Sequence, residues 1–253
     1  MTLSRRRLLR YLLGAGTGAA GLAGGAAAAN RLGWIPPDHG GLFGLGETLT
    51  YASHRLLLSG GAHAREFTRA DISRSAPVNG NPPPGEDYGR LEAGGFADWR
   101  LRVDGLVARP ASLSLDDLRH RFPRRSQITH LACEEGWSYI AEWTGVPLAS
   151  VLAQVGVLPQ ARYVVVFSMD PEWWDSLDLA EAWHGQTLLA DGMNGAALDT
   201  GHGAPLRLRV PRQLGYKSIK YLARLTLTDS LAPFGAGLGS VSPELGYSWY
   251  AGI

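Results

Sequence analysis

The sequence predicts an α+β protein in which short helices and strands are joined by long loops. Short apolar segments with strand-like alternation and segments with helix-like spacing follow one another in no regular order. The 33 Gly and 15 Pro indicate many turns. The sequence has no internal repeat, no coiled-coil pattern and no Gly-rich phosphate-binding loop after a predicted strand. These observations favour mixed sheets within one domain.

Residues 1–29 have the features of a twin-arginine export signal. The motif SRRRLLR at 4–10 is followed by a Gly- and Ala-rich run at 11–29, and small residues before Asn30 offer a cleavage site. A chance basic N-terminus and a retained membrane anchor stay open as alternatives. The signal predicts a periplasmic or other extracytoplasmic location. This route exports folded proteins, so it suits a protein that loads a cofactor in the cytoplasm.

The rest of the chain divides into an N-terminal extension at 30–72 and a single domain at 73–253. Removing residues 1–29 leaves 20 basic and 23 acidic residues, a formal charge near −3. No basic patch is then expected, which argues against a nucleic-acid partner. We expect a monomer.

Few helices or strands are predicted in the first part of the chain. Residues 30–65 are expected to be irregular, with a short helix possible in the segment YASHRLLL, and 73–88 form a loop rich in Pro, Asn and Gly. Residues 99–105 alternate as a strand that ends in a turn. Ser114 is a helix cap, with Asp117 three residues later, and begins a short helix.

The middle of the chain contains its most apolar runs. Residues 127–133 predict a strand that ends at the thiol. Residues 147–155 predict an apolar helix stopped by Gly156. The run RYVVVF at 162–167 predicts a buried strand, and 177–183 a helix.

The last part of the domain is predicted to be mostly strand. Residues 188–198 contain an Asn194-Gly195 turn between two apolar runs, which predicts a hairpin. Strands are expected at 206–210 and 219–228, before a Gly- and Pro-rich tail. Loops of this length usually line a functional site.

The sequence contains one cysteine, Cys133, in the segment THLACEEGW. One thiol cannot form an internal disulfide, so it is buried and inert, paired with another chain or chemically used. Neither a zinc pair of His, nor C-x-x-C-H, nor G-x-S-x-G occurs. A cysteine nucleophile with His130 or His202 as its base stays open.

Three segments resemble the molybdopterin oxidoreductases of the sulfite oxidase type. They are the cysteine segment ITHLACEEGWSYIAEWTGVPLASVLAQVGV (128–157), the hairpin LLADGMNGAAL (188–198) and LDTGHGAPLRLRVPRQLGYKSIKYLARLTL (198–227). The resemblance covers roughly residues 70–228. It implies a sulfite oxidase-type molybdopterin-binding domain that carries one molybdenum-molybdopterin.

The resemblance also implies the site residues. Cys133 would be the molybdenum ligand and the catalytic residue, since a soft thiolate suits this metal. The residues implied to contact the pterin or its phosphate are Asn79, Asn81, Cys133, Ser168, His202, Arg207, Ser218, Ile219 and Lys220. Arg, Lys and backbone N–H groups are suitable donors for such an anionic ligand. Asn79, Asn81 and Ser168 match less closely than the others.

The chain departs from true sulfite oxidases directly after the thiol. Those enzymes carry arginines there, whereas this chain has Glu134 and Glu135, which would repel sulfite. About 25 residues follow the last predicted strand, so the family's dimerisation and haem domains are expected to be absent. Both features resemble the short periplasmic branch, which includes methionine sulfoxide reductase catalytic subunits. That branch implies a membrane or periplasmic partner that supplies electrons.

The expected function is therefore two-electron oxygen-atom transfer, with reduction of a small S-oxide-type oxo substrate. Glu134 and Glu135 are expected either to relay protons or to be a solvated pair. Five tryptophans could line an apolar mouth or belong to the core: Trp137, Trp143, Trp173, Trp174 and Trp183. The alternatives are an oxidase of sulfite or another small anion, a cofactor-free periplasmic binding module and a cysteine hydrolase.

Overall fold

The computed structural model describes residues 25, 28–30, 33–40, 44–57 and 62–253. The predicted export signal lies almost entirely outside the described residues. None of the helices in the described part of the chain is long and apolar enough to cross a membrane.

Short helices separate the strands of the described domain. The α-helices are α1 (Gly44–Leu57), α2 (Glu86–Ala93), α3 (Leu115–His120), α4 (Leu148–Val155) and α5 (Leu179–Ala182). The strands are β1 (Leu101–Gly105), β2 (Ala111–Leu113), β3 (Arg125–Ala132), β4 (Ser138–Pro147), β5 (Tyr163–Ser168), β6 (Trp174–Asp178), β7 (Leu188–Met193), β8 (Ala196–Ala197), β9 (Arg207–Arg209) and β10 (Leu222–Thr228).

The described fold contains two sheets, of which the first is mixed and the second is entirely antiparallel. One has the order β2-β1-β10-β5-β6, in which β1 and β10 run parallel and the other pairs antiparallel. The other has the order β3-β4-β7-β8, with β9 also paired to β7. The main apolar core contains residues of both sheets and of α4, such as Val103, Leu152, Val166 and Leu208. The predicted α+β class with short helices and long loops is confirmed, and one of these two sheets is mixed as predicted.

Local capping and turn chemistry explain the elements that were predicted well. The Ser114 side chain accepts from the Asp117 N–H, and Asp117 accepts from the Ser114 N–H, so both ends of a capping box are present. The turn at Asn194-Gly195 joins β7 to β8, and Gly156 ends α4 in a left-handed conformation.

Several elements differ from the predictions. Helix α1 begins at Gly44, well before the segment YASHRLLL that was expected to be helical, and strands β2 and β4 were not predicted. Three further boundaries also differ. Leu177–Asp178 end strand β6, because they pair with Tyr163 and Val164 of β5, and only Leu179–Ala182 are helical. Helix α2 begins at Glu86, so the predicted loop 73–88 ends earlier. Strand β10 begins at Leu222, because the preceding residues turn inward toward the cavity described below. Strand pairing, a tertiary contact that local propensity does not report, decides the first of these boundaries.

Helix α1 packs on the domain through a buried ionic cluster. Arg55 Nε contacts Asp178 Oδ2 at 2.6 Å, and Arg212 Nη2 contacts Glu181 Oε2 at 2.8 Å. Arg55 also contacts Glu181 at 3.4 Å. Burial alone would raise the pKa of Glu181, but the hydrogen bonds and charge of Arg212, together with Arg55, hold this pKa below its ordinary value.

Glu181→Gln should lower the free energy of unfolding by about 3 kcal/mol at pH 7, because it leaves buried guanidinium charge uncompensated. The depressed pKa means that the stabilisation is present above the unfolded pKa of about 4.3 and is lost as pH falls through the folded value. The gap between wild type and variant in urea denaturation should therefore narrow below about pH 4.

The control is Asp116→Asn, since the Asp116 side chain is 83% exposed. It should change the unfolding free energy by less than about 0.5 kcal/mol. An equally small effect for Glu181→Gln would contradict the stabilising role of the cluster.

Candidate functional site: a thiol-bearing cavity

Cys133 is the first residue after β3 and begins the hairpin loop that leads to β4. Its N–H donates to the Trp137 carbonyl at 2.9 Å, and its own carbonyl accepts from Gly136 at 3.2 Å. These bonds fix the thiol at the end of the strand. The Sγ atom lies 3.4 Å from Glu134 Oε2 and 3.9 Å from Glu135 Oε2.

The surroundings of the thiol do not suit a metal-free nucleophile. Burial and the two neighbouring carboxylates raise the pKa of Cys133 to about 11, against a smaller opposing effect of the Glu135 N–H. Within the described residues, the Sγ hydrogen-bond partners are Glu134 and Glu135, and neither His130 nor His202 is one. A cysteine hydrolase needs a base at the thiol, so this geometry disfavours that alternative.

A cavity of about 150 Å³ opens beside the thiol. All nine residues predicted for the site line it: Asn79, Asn81, Cys133, Ser168, His202, Arg207, Ser218, Ile219 and Lys220. They come from the loop before α2, the ends of β3 and β5, the segment before β9 and the segment before β10. The fold thus brings residues from five separate stretches of the chain into one place.

The end of the cavity formed by the β8–β9 and β9–β10 connections is basic. Arg207 donates to the His202 and Ser218 carbonyls, both at 3.0 Å, while its Nε has no partner among the described residues. His202 Nδ1 lies 2.8 Å from Asp199 Oδ1, so the carboxylate selects Nδ1 as the protonated nitrogen. The buried Nε2 of His202 has no partner among those residues either.

Lys220 ties two walls of the cavity together. Its Nζ donates to the Asn79 carbonyl at 2.5 Å and to the Gly201 carbonyl at 2.6 Å. Burial, and then the charge of Arg207, lower the pKa of Lys220 to about 8. Gly203 has φ +102°, and a Cβ there would meet the Lys220 Cβ at 2.8 Å, so glycine is required for this approach.

Several lining residues were not found from the sequence. Tyr139, Tyr216 and Tyr221 line the cavity; Tyr216 donates to the Ser248 carbonyl, and Tyr221 to the Thr200 carbonyl. Tyrosines are also common core residues, so no sequence signal separates the two roles.

The five tryptophans divide between the two roles considered. Trp137 and Trp173 line the cavity. Trp143 is fully buried beneath it, and Trp174 packs against Phe167 and Phe234. Trp183 is 41% exposed and does not line the cavity.

Comparison with known proteins identifies the family. A family model described as "Oxidoreductase molybdopterin binding domain" matches residues 89–233, which is more than half of the chain. The chain belongs to this family. It has the sulfite oxidase-type fold that the three sequence segments predicted.

A curated relative is named putative protein-methionine-sulfoxide reductase subunit YedZ1, from Azospira oryzae. It is 38% identical over 156 residues, which cover 62% of this chain and 56% of the relative. The crystal structure of the sulfane dehydrogenase SoxCD from Paracoccus pantotrophus matches with a TM-score of 0.50 and 29% identity. That match covers 53% of this chain and 39% of the SoxCD chain. The chain therefore spans about half or less of the length of these proteins.

The cavity fits a molybdopterin. Within the described residues, no group of three or more His, Cys, Asp or Glu could hold a metal ion, so the protein offers one soft thiolate and other ligands must come from elsewhere. The unpartnered Nε of Arg207 can donate to an anionic ligand, whereas His202 Nε2, opposite the protonated Nδ1, can accept a hydrogen bond from a donor group of the ligand. The cofactor would supply both the missing ligands and the missing negative charge.

Lys220→Met should loosen the loop that contains Asn79. Losing both Nζ hydrogen bonds makes local opening easier by about 1 kcal/mol, so thermolysin should cleave beside Val78 about fivefold faster. Val78 is 54% exposed, so its side chain can enter the protease once the backbone of the loop opens. Mass spectrometry of the fragments gives the cleavage site and rate.

The matched control is Lys220→Arg, which keeps the charge and the donors. It should be cleaved at close to the wild-type rate. Equal rates for wild type and Lys220→Met would contradict the role of Lys220 as a tie between the two walls.

Proposed function

We propose that the chain is an exported molybdenum-molybdopterin oxidoreductase that reduces an S-oxide-type substrate by two-electron oxygen-atom transfer. One cofactor per chain is expected, since there is one thiol. The observation that carries the proposal is the single thiol in a cavity that is basic at one end and bears two carboxylates at the thiol.

One group of cavity residues would hold the cofactor, and another would receive the substrate. Cys133 would ligate the molybdenum as a thiolate, and metal binding overcomes the raised pKa of the free thiol. Arg207, His202 and Lys220, with the Ser218–Ile219 segment and Asn79, Asn81 and Ser168, would hold the pterin and its phosphate. When bound, the cofactor supplies a two-electron redox centre able to transfer an oxygen atom.

The charge beside the thiol supports a neutral substrate. Glu134 lines the cavity, and Trp137 Nε1 holds Glu135 in place by donating to Oε2 at 2.9 Å. Two carboxylates at this position repel a small dianion such as sulfite. Trp137 and Trp173 supply apolar surface for the substituents of a neutral sulfoxide.

Removing an oxygen atom from a sulfoxide consumes two protons and two electrons and releases water. Glu134 and Glu135 are positioned to deliver protons near the reacting atom, because both side chains reach the thiol. The electrons must come from outside the chain. The relative from Azospira oryzae is named a subunit, which supports a separate electron-transfer partner in the membrane or periplasm.

The N-terminal sequence supports a location outside the cytoplasm. The twin-arginine pattern at 4–10 supports export of the folded, cofactor-loaded protein to the periplasm. We propose that the catalytic chain is monomeric apart from its electron-transfer partner.

Oxidation of a small sulfur compound is the second candidate function. It is favoured by the similarity to a protein named sulfane dehydrogenase, in which the direction of electron flow is the opposite one. The same cofactor and the same nine residues serve either direction, so the substrate assay below separates the two candidates.

Cys133→Ser should abolish molybdenum retention. The wild-type chain, matured in cells that make the cofactor, should contain about one molybdenum per chain by elemental analysis, since one thiolate ligates one metal. The variant should contain less than about a tenth of that amount, because a serine oxygen is a harder and poorer ligand. Full molybdenum and activity in the variant would contradict the ligand assignment. A metal-free wild type would favour the binding-module or hydrolase alternatives.

Glu134→Gln should make the loaded enzyme bind small anions more tightly. Removing one carboxylate charge near the substrate position should lower the inhibition constant for sulfite about tenfold, or about 1.4 kcal/mol. The KM for dimethyl sulfoxide, measured with reduced viologen as donor, should change much less because this substrate is neutral.

Glu244→Gln, at an exposed position that does not line the cavity, is the control and should change neither constant. Sulfite oxidation by the wild-type enzyme without measurable sulfoxide reduction would favour the second candidate function.

A further inference from the structure

Two buried arginines flank one tryptophan beneath the cavity. Arg207 and Arg209 occupy alternate positions of β9 and are 3% and 0% exposed. Their guanidinium carbons lie 4.9 Å and 5.6 Å from the centroid of the Trp143 ring. The ring face attracts both cations, so Trp143 holds two like charges close together.

Neither guanidinium forms an ion pair within the described part of the chain. Arg207 donates to two backbone carbonyls. Arg209 donates to the His130 carbonyl at 2.5 Å, to Thr129 Oγ1 at 3.5 Å and to Ser218 Oγ at 3.4 Å. The Nε atoms of both arginines are buried without a partner among these residues.

The carboxylate that attracts Arg207 does not neutralise this pair. Asp199 exerts an attraction on Arg207, but it already contacts His202 and also acts on Lys220. Burial, followed by the charge of Arg207, lowers the pKa of Arg209 to about 9. Excess buried positive charge is costly unless an anion binds next to it.

Only one of the two arginines lines the cavity. Arg207 does so, whereas Arg209 lies behind it and bridges β3 to Ser218. Strand β3 ends at the thiol, and Ser218 lines the basic end of the cavity. Arg209 can therefore act on a bound ligand through its charge and through the two segments that it joins.

We propose that Arg209 is a positioning residue whose uncompensated buried charge, stacked with Arg207 on Trp143, prepares the cavity to bind a phosphate dianion. The proposal rests on the proposed function, since that dianion would be the phosphate of the pterin. It concerns a property of the chain itself, which can be measured without molybdenum.

The test uses the full chain made in cells that cannot synthesise the cofactor. Thermal unfolding is followed with and without inorganic phosphate, at ionic strength matched with chloride. Wild type should unfold at a higher temperature in phosphate, because a ligand of the folded state stabilises it. Arg209→Met should be at least as stable as wild type without phosphate and should lose most of the phosphate-dependent increase.

Calorimetric titration supplies the affinity directly. Arg209→Met should bind phosphate about tenfold more weakly than wild type, a difference of about 1.4 kcal/mol. Arg209→Lys keeps the charge and should restore most of the affinity. Arg102→Met, which replaces an exposed arginine in β1, is the matched control and should leave phosphate binding unchanged.

Two results would overturn the proposal. One is an equal phosphate-dependent increase in wild type and Arg209→Met, with the variant less stable in both buffers, as a purely structural residue would give. The other is the absence of any phosphate effect on wild type. Neither depends on the molybdenum content of the matured enzyme, so failure of this proposal and failure of the proposed function can be told apart.

Discussion

The backbone ladder that joins β3, β4, β7 and β9 determines where the groups of the cavity lie. Gly145 of β4 pairs with Ala190 of β7, which pairs in turn with Arg207 of β9. A Cβ at Gly145 would lie 2.0 Å from the Leu189 carbonyl oxygen, so a side chain there would force β4 and β7 apart. The ladder places Trp143 beneath Arg207 and leaves the thiol at the free end of β3. The cofactor-binding geometry thus depends on one close approach between two strands.

Buried charged side chains are paired in the scaffold but not beside the cavity. Lys217 contacts Asp175 at 2.5 Å, with both side chains almost fully buried, and Asp191 contacts Arg119 and Arg124. In these contacts each buried carboxylate has a cationic partner, and the ion pairs cross-link separate elements. Arg207 and Arg209 make no comparable contact within the described residues, although they are equally buried. This difference is the ground for proposing that a bound anion supplies their counter-charge.

Local sequence signals were sufficient for part of the fold and for most of the cavity. The Ser114 cap and the Asn194-Gly195 turn depend on neighbouring residues alone, and their elements formed where predicted. Six of the nine predicted lining residues lie in the three segments that resemble a family, whereas Asn79, Asn81 and Ser168 lie outside these segments and matched less closely.

Arg209 could not be found in that way. The alternation Arg207-Leu208-Arg209 is typical of a strand with two charged side chains in solvent, yet all three residues are buried. Trp143 packs against both guanidiniums and so allows these charges to be buried. This contact joins β4 to β9 across β7.

The separation of charge along the cavity relates cofactor retention to substrate choice. Arg207 and Lys220 stand where an anionic anchor is needed, while Glu134 and Glu135 converge on the thiol. A cavity that was basic throughout would hold the cofactor but would also attract small anions to the metal. Carboxylates near the thiol counter that attraction at the one position where substrate must arrive. Burial, together with these carboxylates, raises the pKa of the free thiol and so disfavours its thiolate form.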